Sequence, residues 1–375
     1  MGDGFLVAKM LIVAIAAITT LALVRSSWVQ RLSLRRFTLL VFGLLLSSRL
    51  GLFLLTFVVA RIPPQSDVVT YYMVDAKSVL TGNIPYADFT TAYAPGFPYL
   101  ASLIVRVWDS PVALILFAVL IETVALAAWL AVSRRCFDEA MTRRAAILYV
   151  TSPLVLINVA VDGQNQVLLA ALLGLSLLFS TEGRTAMSGF ACGLSVACVK
   201  ALGLIYAPVL WAGADRKIRW GIAFLAPAVA AYVFVFAEGA TVQQVTVFAR
   251  LLPSSGNLPF YLGLAGLHLD SGAGLLVVNL AAAAAMATVF LLNVRFREPL
   301  DTRRQVWLLA LVLLTFLLIS RKSLSSYLVT AFFPVCLLFA RRPVSLPLPS
   351  SSLSVTLGMP SSPGLSKFPS SSRSW

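Results

Sequence analysis

The sequence predicts an all-α membrane protein: a polytopic helical bundle of about 11 transmembrane helices, with interfacial helices in its first outer loop. Three observations carry that prediction. Of the 375 residues, 59% are hydrophobic and 12% charged, with a mean hydropathy of +0.90, whereas a soluble domain carries about 25% charged residues. The apolar residues fall in runs of about 20, long enough to cross a ~30 Å hydrocarbon core as a helix. In lipid each backbone polar group needs an internal partner, so such runs are helical, and the alternating pattern of an outer-membrane barrel is absent. Third, short clusters of Arg separate the runs.

The spans are read in order. Phe5 to Val24 exceeds a typical signal-peptide core and has no basic start, so it reads as a retained helix. Further spans are expected at 37–60, 111–132, 145–161, 166–180, 186–200, 201–213, 218–237, 273–294, 305–320 and 326–340. The stretch Phe97 to Trp108 is excluded, because a dozen residues reach only about 18 Å at 1.5 Å per residue; it reads as interfacial or re-entrant. The pair 186–200 and 201–213 is short, meets at Lys200 and contains Pro208. It is the one broken pair the sequence displays, and broken helices are tolerated where they line a cavity.

Charge sets the orientation. One group of connections holds Arg25, Arg31, Arg35, Arg36, Arg134, Arg135, Arg143, Arg144, Arg184, Arg216, Lys217, Arg219, Arg295, Arg297, Arg303, Arg304, Arg341 and Arg342, and the other holds Arg61, Lys77, Arg106, Arg250, Arg321 and Lys322. Eighteen cations against six place the first group in the cytoplasm, the N-terminus outside and the C-terminus inside. The same rule accounts for the net charge of +14, so no nucleic-acid partner is expected. Three regions follow: residues 1–36, an extra N-terminal helix and basic cytoplasmic loop; 37–342, the transmembrane body; and 343–375, a Ser/Pro-rich tail expected to be disordered in the cytoplasm. The four Cys have no CxxC spacing and His268 is the single histidine, which removes Ser-His-Asp triads and indicates no metal site or cofactor.

The unusual polar residues collect outside. In the long first loop Ser66 is placed to cap a helix that starts at Asp67 and stops near Gly82. Asp67 is either a first-turn acid favoured by the helix dipole or a catalytic base. Asp75, about 12 Å further along that helix, is expected to face solvent beside Lys77. Tyr86, Phe89, Tyr93, Phe97 and Tyr99 follow in a turn-rich loop, either stacking on a sugar or forming an interfacial aromatic belt. Asp162-Gly163-Gln164-Asn165-Gln166 and Pro253-Ser254-Ser255-Gly256-Asn257 are turn-like clusters. Arg321 and Lys322 stand on the side poor in cations and make an anion site worth considering. Arg49, Glu122 and Lys200 lie within spans, where each charge needs a partner or a wet cavity. Arg49 and Glu122 either pair with each other or serve a site.

Arg49, then Asp67 with Tyr71, Gly82 with Pro85, Tyr86 and Asp88, and Tyr93 with Pro95 and Gly96 form a pattern. In it the chain resembles the C-type superfamily of integral membrane glycosyltransferases, and within it the polyprenol-phosphate-mannose-dependent mannosyltransferases. A similar first loop occurs in the transferases that add the first mannose of glycosylphosphatidylinositol. The Gly163-Gln164 turn, Lys200 in a glycine-containing short helix, and Lys322 with Tyr327 also fit. The resemblance runs from about Arg49 to Ala340 and rests on the order and one-sidedness of the residues. The chain departs from the family in its extra helix Phe5 to Val24 and in Gln166, where related proteins often place an acid.

The resemblance implies transfer of a sugar, mannose first, from a polyprenyl-phosphate donor to a hydroxyl of a glycan or glycolipid on the non-cytoplasmic face, with membrane lipid as surroundings and the lipid-linked sugar as substrate. Asp67 would be the general base of an inverting displacement, and Lys200, Arg321, Lys322 and Arg49 would meet the donor phosphate. Tyr71, Tyr86, Asp88, Tyr93, Gln164 and Asn165 would contact substrate. The alternative is a lipid or sugar transporter or flippase, which is expected to show paired broken helices.

Overall fold

The computed structural model describes residues 3–246, 257–267, 272–293, 299–320 and 324–340. Every regular element among them is helical; the one isolated β-bridge joins Pro85 to Phe89. The tail from Pro343 and the residues His268, Arg250, Arg321 and Lys322 fall outside the described set.

The helices in chain order are α1 (Asp3–Arg25), α2 (Ser27–Arg31), α3 (Leu34–Phe53, running on as π-turns Leu54–Val59), α4 (Met73–Leu80, entered by a π-turn Val68–Tyr72), α5 (Gly96–Val107), α6 (Pro111–Cys136), α7 (Glu139–Val150), α8 (Pro153–Ala160), α9 (Gln166–Thr181) and α10 (Thr185–Cys198). After a 3₁₀ turn Ala201–Ile205 come α11 (Ala207–Ala212), α12 (Lys217–Ala237), α13 (Val242–Thr246), α14 (Leu258–Leu264), α15 (Gly272–Asn293) and α16 (Thr302–Ile319); a 3₁₀ turn Ser325–Ala331 then leads into α17 (Phe332–Ala340). Their starts are set by local chemistry. Ser110 caps α6 through the Val112 amide (3.3 Å), and Pro111 follows at the first helical position, where its missing N–H costs nothing. Asp138 caps α7 through Met141 (2.8 Å), and Asp301 caps α16 through Arg304 (3.0 Å).

Among the described residues, four helices are long and apolar enough to cross a bilayer: Leu34–Val59, Pro111–Cys136, Lys217–Ala237 and Thr302–Ile319. The pair α7 and α8, bent by 49°, makes a fifth if counted as one span. Large apolar side chains face outward along these helices, among them Leu39, Ile222 and Val233, all more than half exposed. That is the surface a bilayer covers, and the chain is an all-helical membrane protein. Seven further apolar stretches of 10–17 residues stand among the described residues, so four or five of the about 11 expected spans are long enough by themselves. Breaks in the helices shorten several of the others. Pro153 forbids continuation of α7 through Ser152, and α10 stops at Cys198, with Lys200 extended before the 3₁₀ turn. The segment before α17 is also 3₁₀. The sequence displayed one broken pair; the structure adds the bend between α7 and α8 and the turn entering α17.

Packing gives the bundle two unlike ends. Gly189 and Gly193 bring α10 onto α12 so closely that a Cβ would lie 2.3 Å from the Trp220 carbonyl oxygen and 2.1 Å from that of Phe224. The Trp220 indole donates to Ser188 (3.1 Å) across the same contact. At one end Arg134 reaches Thr38, Arg135 pairs with Glu182, Arg143 reaches the carbonyls of Val29 and Gln30, and Arg303 lies over Phe137. This basic end gathers the starts of α3, α7, α12 and α16. At the other end the loop between α3 and α6 folds into a small core of its own, in which Val68, Tyr72, Tyr93, Phe97 and Ala101 pack on Leu114 and Ile115.

Candidate functional site

The site is built where three chain segments meet at the loop end. Gly163, at φ +59, is the only residue type that fits its turn, because a Cβ there would meet Val68 and Ile115 at 2.7 and 2.8 Å. The turn 162–166 therefore lies directly on the start of the loop helix. Two hydrogen bonds fix it there: the Ser66 hydroxyl donates to the Asp162 carbonyl (2.8 Å), and the Asn165 amide N–H donates to the Tyr72 hydroxyl (3.1 Å). The third segment is the break after α10. The Ala94 N–H donates to the Val199 carbonyl (3.1 Å), and Gly96 abuts Ala197 and Cys198 so tightly that a Cβ would lie within 2.9 Å of both.

Tyr93 joins the acid to the cation. Its hydroxyl donates to Asp67 Oδ2 (2.7 Å), and the Lys200 ammonium stands 4.6 Å from the centre of its ring. Lys200 also lies 5.3 Å from the ring centre of Tyr327. Two aromatic faces thus hold the charge of Lys200 beside the loop, a contact worth about 0.5–2 kcal/mol. Burial, then the neighbouring Tyr72 and Asp67, push the Tyr93 hydroxyl well above the usual tyrosine range. It stays protonated and remains a donor to the carboxylate. Burial and the Asp67 charge raise Tyr72 in the same way. Tyr72 and Tyr93 meet edge to face at 4.9 Å, and Tyr71 approaches Tyr93 at 6.3 Å.

Asp67 does not act as a helix cap here. Its side chain makes no capping hydrogen bond, and Ser66, in the left-handed region at φ 77, sends its hydroxyl to Asp162 instead of to a helical N–H. The expectation that Ser66 caps this helix is corrected accordingly. The helix does end as expected, with Gly82 at φ +93.

Gln164, Asn165 and Gln166 follow one another beneath the loop, all buried. Five of their side-chain polar atoms have no partner within the protein: Gln164 Oε1, both polar atoms of the Asn165 amide and both of Gln166. Buried amides are normally satisfied, so a run of three is a local demand for hydroxyl or water partners. Gln166 was absent from the expected site, since the sequence gives no sign that a helix-opening glutamine is buried.

Other expected residues serve the loop itself. Tyr86, at φ 66, is buried and donates its hydroxyl to the Tyr93 carbonyl; it is a strut for Tyr93 and presents no free ring face. Asp88 accepts from the Ile84 N–H (2.7 Å) and closes its own turn. Asp75 was expected at the surface beside Lys77. It is buried instead, accepting from the Thr91 hydroxyl (2.6 Å), while Lys77 pairs with Asp109 (3.3 Å). Burial raises its carboxyl to about 6 against the lowering effect of Thr91. The sequence misplaces Asp75 because the loop folds back and Thr91 covers that helix face.

Arg49 lies apart from this cluster. It is wholly buried and bound to Glu122 through Nε–Oε2 (3.0 Å) and Nη2–Oε1 (2.7 Å), with Nη1 on the Val150 carbonyl and Ser48. Arg321 and Lys322 lie outside the described residues; on their near side the Ser320 carbonyl accepts from Asn257 Nδ2 (2.8 Å). Among the described residues no three His, Cys, Asp or Glu side chains converge as metal ligands. No protein-family model matches the chain, and no curated protein sequence matches it.

Proposed function

We propose that the chain is a membrane glycosyltransferase that moves a sugar, mannose by its resemblance, from a polyprenyl phosphate to an acceptor hydroxyl. The observation that carries this reading is the Asp67–Tyr93–Lys200 cluster, a carboxylate and a cation set on one tyrosine where a loop covers a broken helix. The acceptor oxygen attacks the anomeric carbon and its proton passes to Asp67, a general-base role worth about 10²–10⁴-fold. The bond from that carbon to the phosphate oxygen breaks, and the electron pair stays on the phosphate. Lys200 is the cation for the charge that develops there, with Lys322 of the family pattern and its neighbour Arg321 as the further candidates. A single displacement inverts the anomeric centre. The unsatisfied amides of Gln164 and Asn165 suit a hydroxyl-rich acceptor, and Tyr71, beside the Tyr93 ring, is a further candidate contact. In this reading the shorter helices other than α5 also cross the membrane, giving eleven spans in total, and the basic end is cytoplasmic.

The bend between α7 and α8 and the breaks before α11 and α17 favour a second reading, a transporter or flippase, since such proteins build their sites from broken helices. Membranes containing the protein, given a labelled polyprenyl-phosphate mannose, decide between them. Wild type is expected to transfer label to an endogenous acceptor, and Asp67→Asn to lose 10²–10⁴-fold at equal abundance. Near-wild-type turnover by Asp67→Asn removes the base from the mechanism. Movement of the labelled lipid across liposomes, with no transfer, establishes the transporter.

A further inference from the structure

At the basic end, a bilayer's length of α12 away from Asp67, an open cavity of about 830 Å³ lies between α10 and the start of α12. Its mouth carries Asp215, Arg216, Lys217 and Arg219, and its floor is apolar, with Ala186, Ile222, Ala223 and Ala226. A second cavity of about 400 Å³ shares Ala186 and Ala223 with it and runs on between α9, α10 and α12 past Leu175, Phe190 and Leu194. Together they make one seam. It exists because Gly189 and Gly193 pull α10 onto the α12 backbone, so that the small side chains beside that contact leave a trough between larger ones. From Ala186 to Leu194 the trough follows α10 for about 12 Å.

Among the described residues, Arg216, Lys217 and Arg219 are the cations that stand over this cavity, and several others at the basic end are given to carboxylates. Arg135 and Arg184 pair with Glu182, Arg143 with Glu139 and Arg304 with Asp301. Arg216 and Arg219 are exposed and appear in none of the described ion pairs, and Lys217 is held with its ammonium 5.3 Å from the centre of the Trp211 ring. Three cations against Asp215 leave a positive mouth above an apolar trough. An amphiphile with an anionic head and a hydrocarbon tail matches both halves at once.

We propose that this seam binds one anionic phospholipid, its phosphate at Arg216, Lys217 and Arg219 and an acyl chain along Ala186, Ala223 and Leu194. The site is separate from the Asp67 cluster and does not depend on the activity assigned to it.

The full-length protein in mild detergent, titrated with dioleoyl phosphatidylglycerol or dioleoyl phosphatidylcholine and read by native mass spectrometry, tests the proposal. One phosphatidylglycerol is expected to bind at least tenfold more tightly than phosphatidylcholine. The double variant Arg216→Gln/Arg219→Gln, at two exposed positions, is expected to lose that preference by about tenfold or more. Ala223→Phe fills the trough and is expected to remove the bound lipid, and glycerol 3-phosphate is expected not to compete, which separates a lipid from a free phosphate. Equal binding of the two lipids overturns the proposal. So does an unchanged preference in the double variant, which would place the lipid on the basic end at large. Exclusive retention of a polyprenyl phosphate overturns it also, by giving the seam to another lipid.

Discussion

Arg49–Glu122 and Asp67–Tyr93–Lys200 each join a carboxylate to a cation from a distant part of the chain, and they are finished in opposite ways. The first pair is wholly buried, and its guanidinium is spent on two carboxylate oxygens, a carbonyl and a hydroxyl. No ligand reaches it, and its charges cancel inside the bundle. In the second, Asp67 and Lys200 are partly exposed, and a neutral tyrosine stands between them. A closed pair holds α3, α6 and α7 together; a partly exposed one is the pair a third chemical group could approach. The cost of a mid-membrane charge is met in both, but only the second leaves its charged groups partly exposed.

The comparison breaks most sharply at Glu122. Glu122→Ala strands a buried guanidinium, and removing one partner of such a pair costs about 3–5 kcal/mol. The variant is expected to aggregate or to lose most of its monodisperse fraction in detergent. Glu122→Leu combined with Arg49→Met, which removes both charges, is expected to recover most of that loss. A stable Glu122→Ala protein with no transfer activity would move the pair from the scaffold to the site.

Lys200→Gln is expected to do the reverse. Loss of one positioned charge at a developing anion costs about 10²–10³-fold in rate, whereas the ring contacts that hold Lys200 contribute only about 0.5–2 kcal/mol to stability. Donor use should fall by that factor while the melting midpoint shifts by a few degrees. If stability collapses and the rate per folded molecule stays unchanged, Lys200 belongs with Arg49 as a structural charge.

The helical class, the long apolar helices, the break at Lys200 and the helix stop at Gly82 were legible because each depends on local sequence: an apolar run, an isolated cation, a glycine at positive φ. What depends on residues far apart was not. Tyr72 gave no sign that it would hold the Asn165 N–H, 93 positions away. Tyr86 and Asp88 fitted a family pattern, and the structure spends both on the loop's own architecture. The sequence left open whether Asp67 caps a helix or faces a site, because either role suits a carboxylate after Ser66; the structure removes the cap by giving the side chain to the Tyr93 hydroxyl. Four of the expected spans, and a fifth with the bent pair, stand as helices long and apolar enough by themselves; the bend at Ser152 and Pro153 inside the run 145–161 was not legible, since an apolar run does not reveal one.

Asp75 offers the finest test, because it is a third carboxylate in a third setting: buried, without a cation, and held by Thr91 in the same loop that carries Tyr93. Its carboxyl is raised to about 6 from an ordinary 3.8. Between those values the folded loop keeps the proton and the unfolded chain releases it. The folded state therefore binds more protons, and its stability falls as pH rises through that window. At 1.36 kcal/mol per pH unit the upper bound is about 3 kcal/mol, and a carboxyl in a loop at the bundle's edge is expected to realise about 1 kcal/mol of it. Asp75→Asn removes the titration and keeps an oxygen for Thr91. The thermal midpoints of wild type and Asp75→Asn in detergent should agree near pH 4. Above pH 6 the wild type should lie a few degrees lower. A gap that is constant across pH 4 to 7, or that opens in the other direction, would show that Asp75 is charged in the folded loop and that Thr91 supports a carboxylate there.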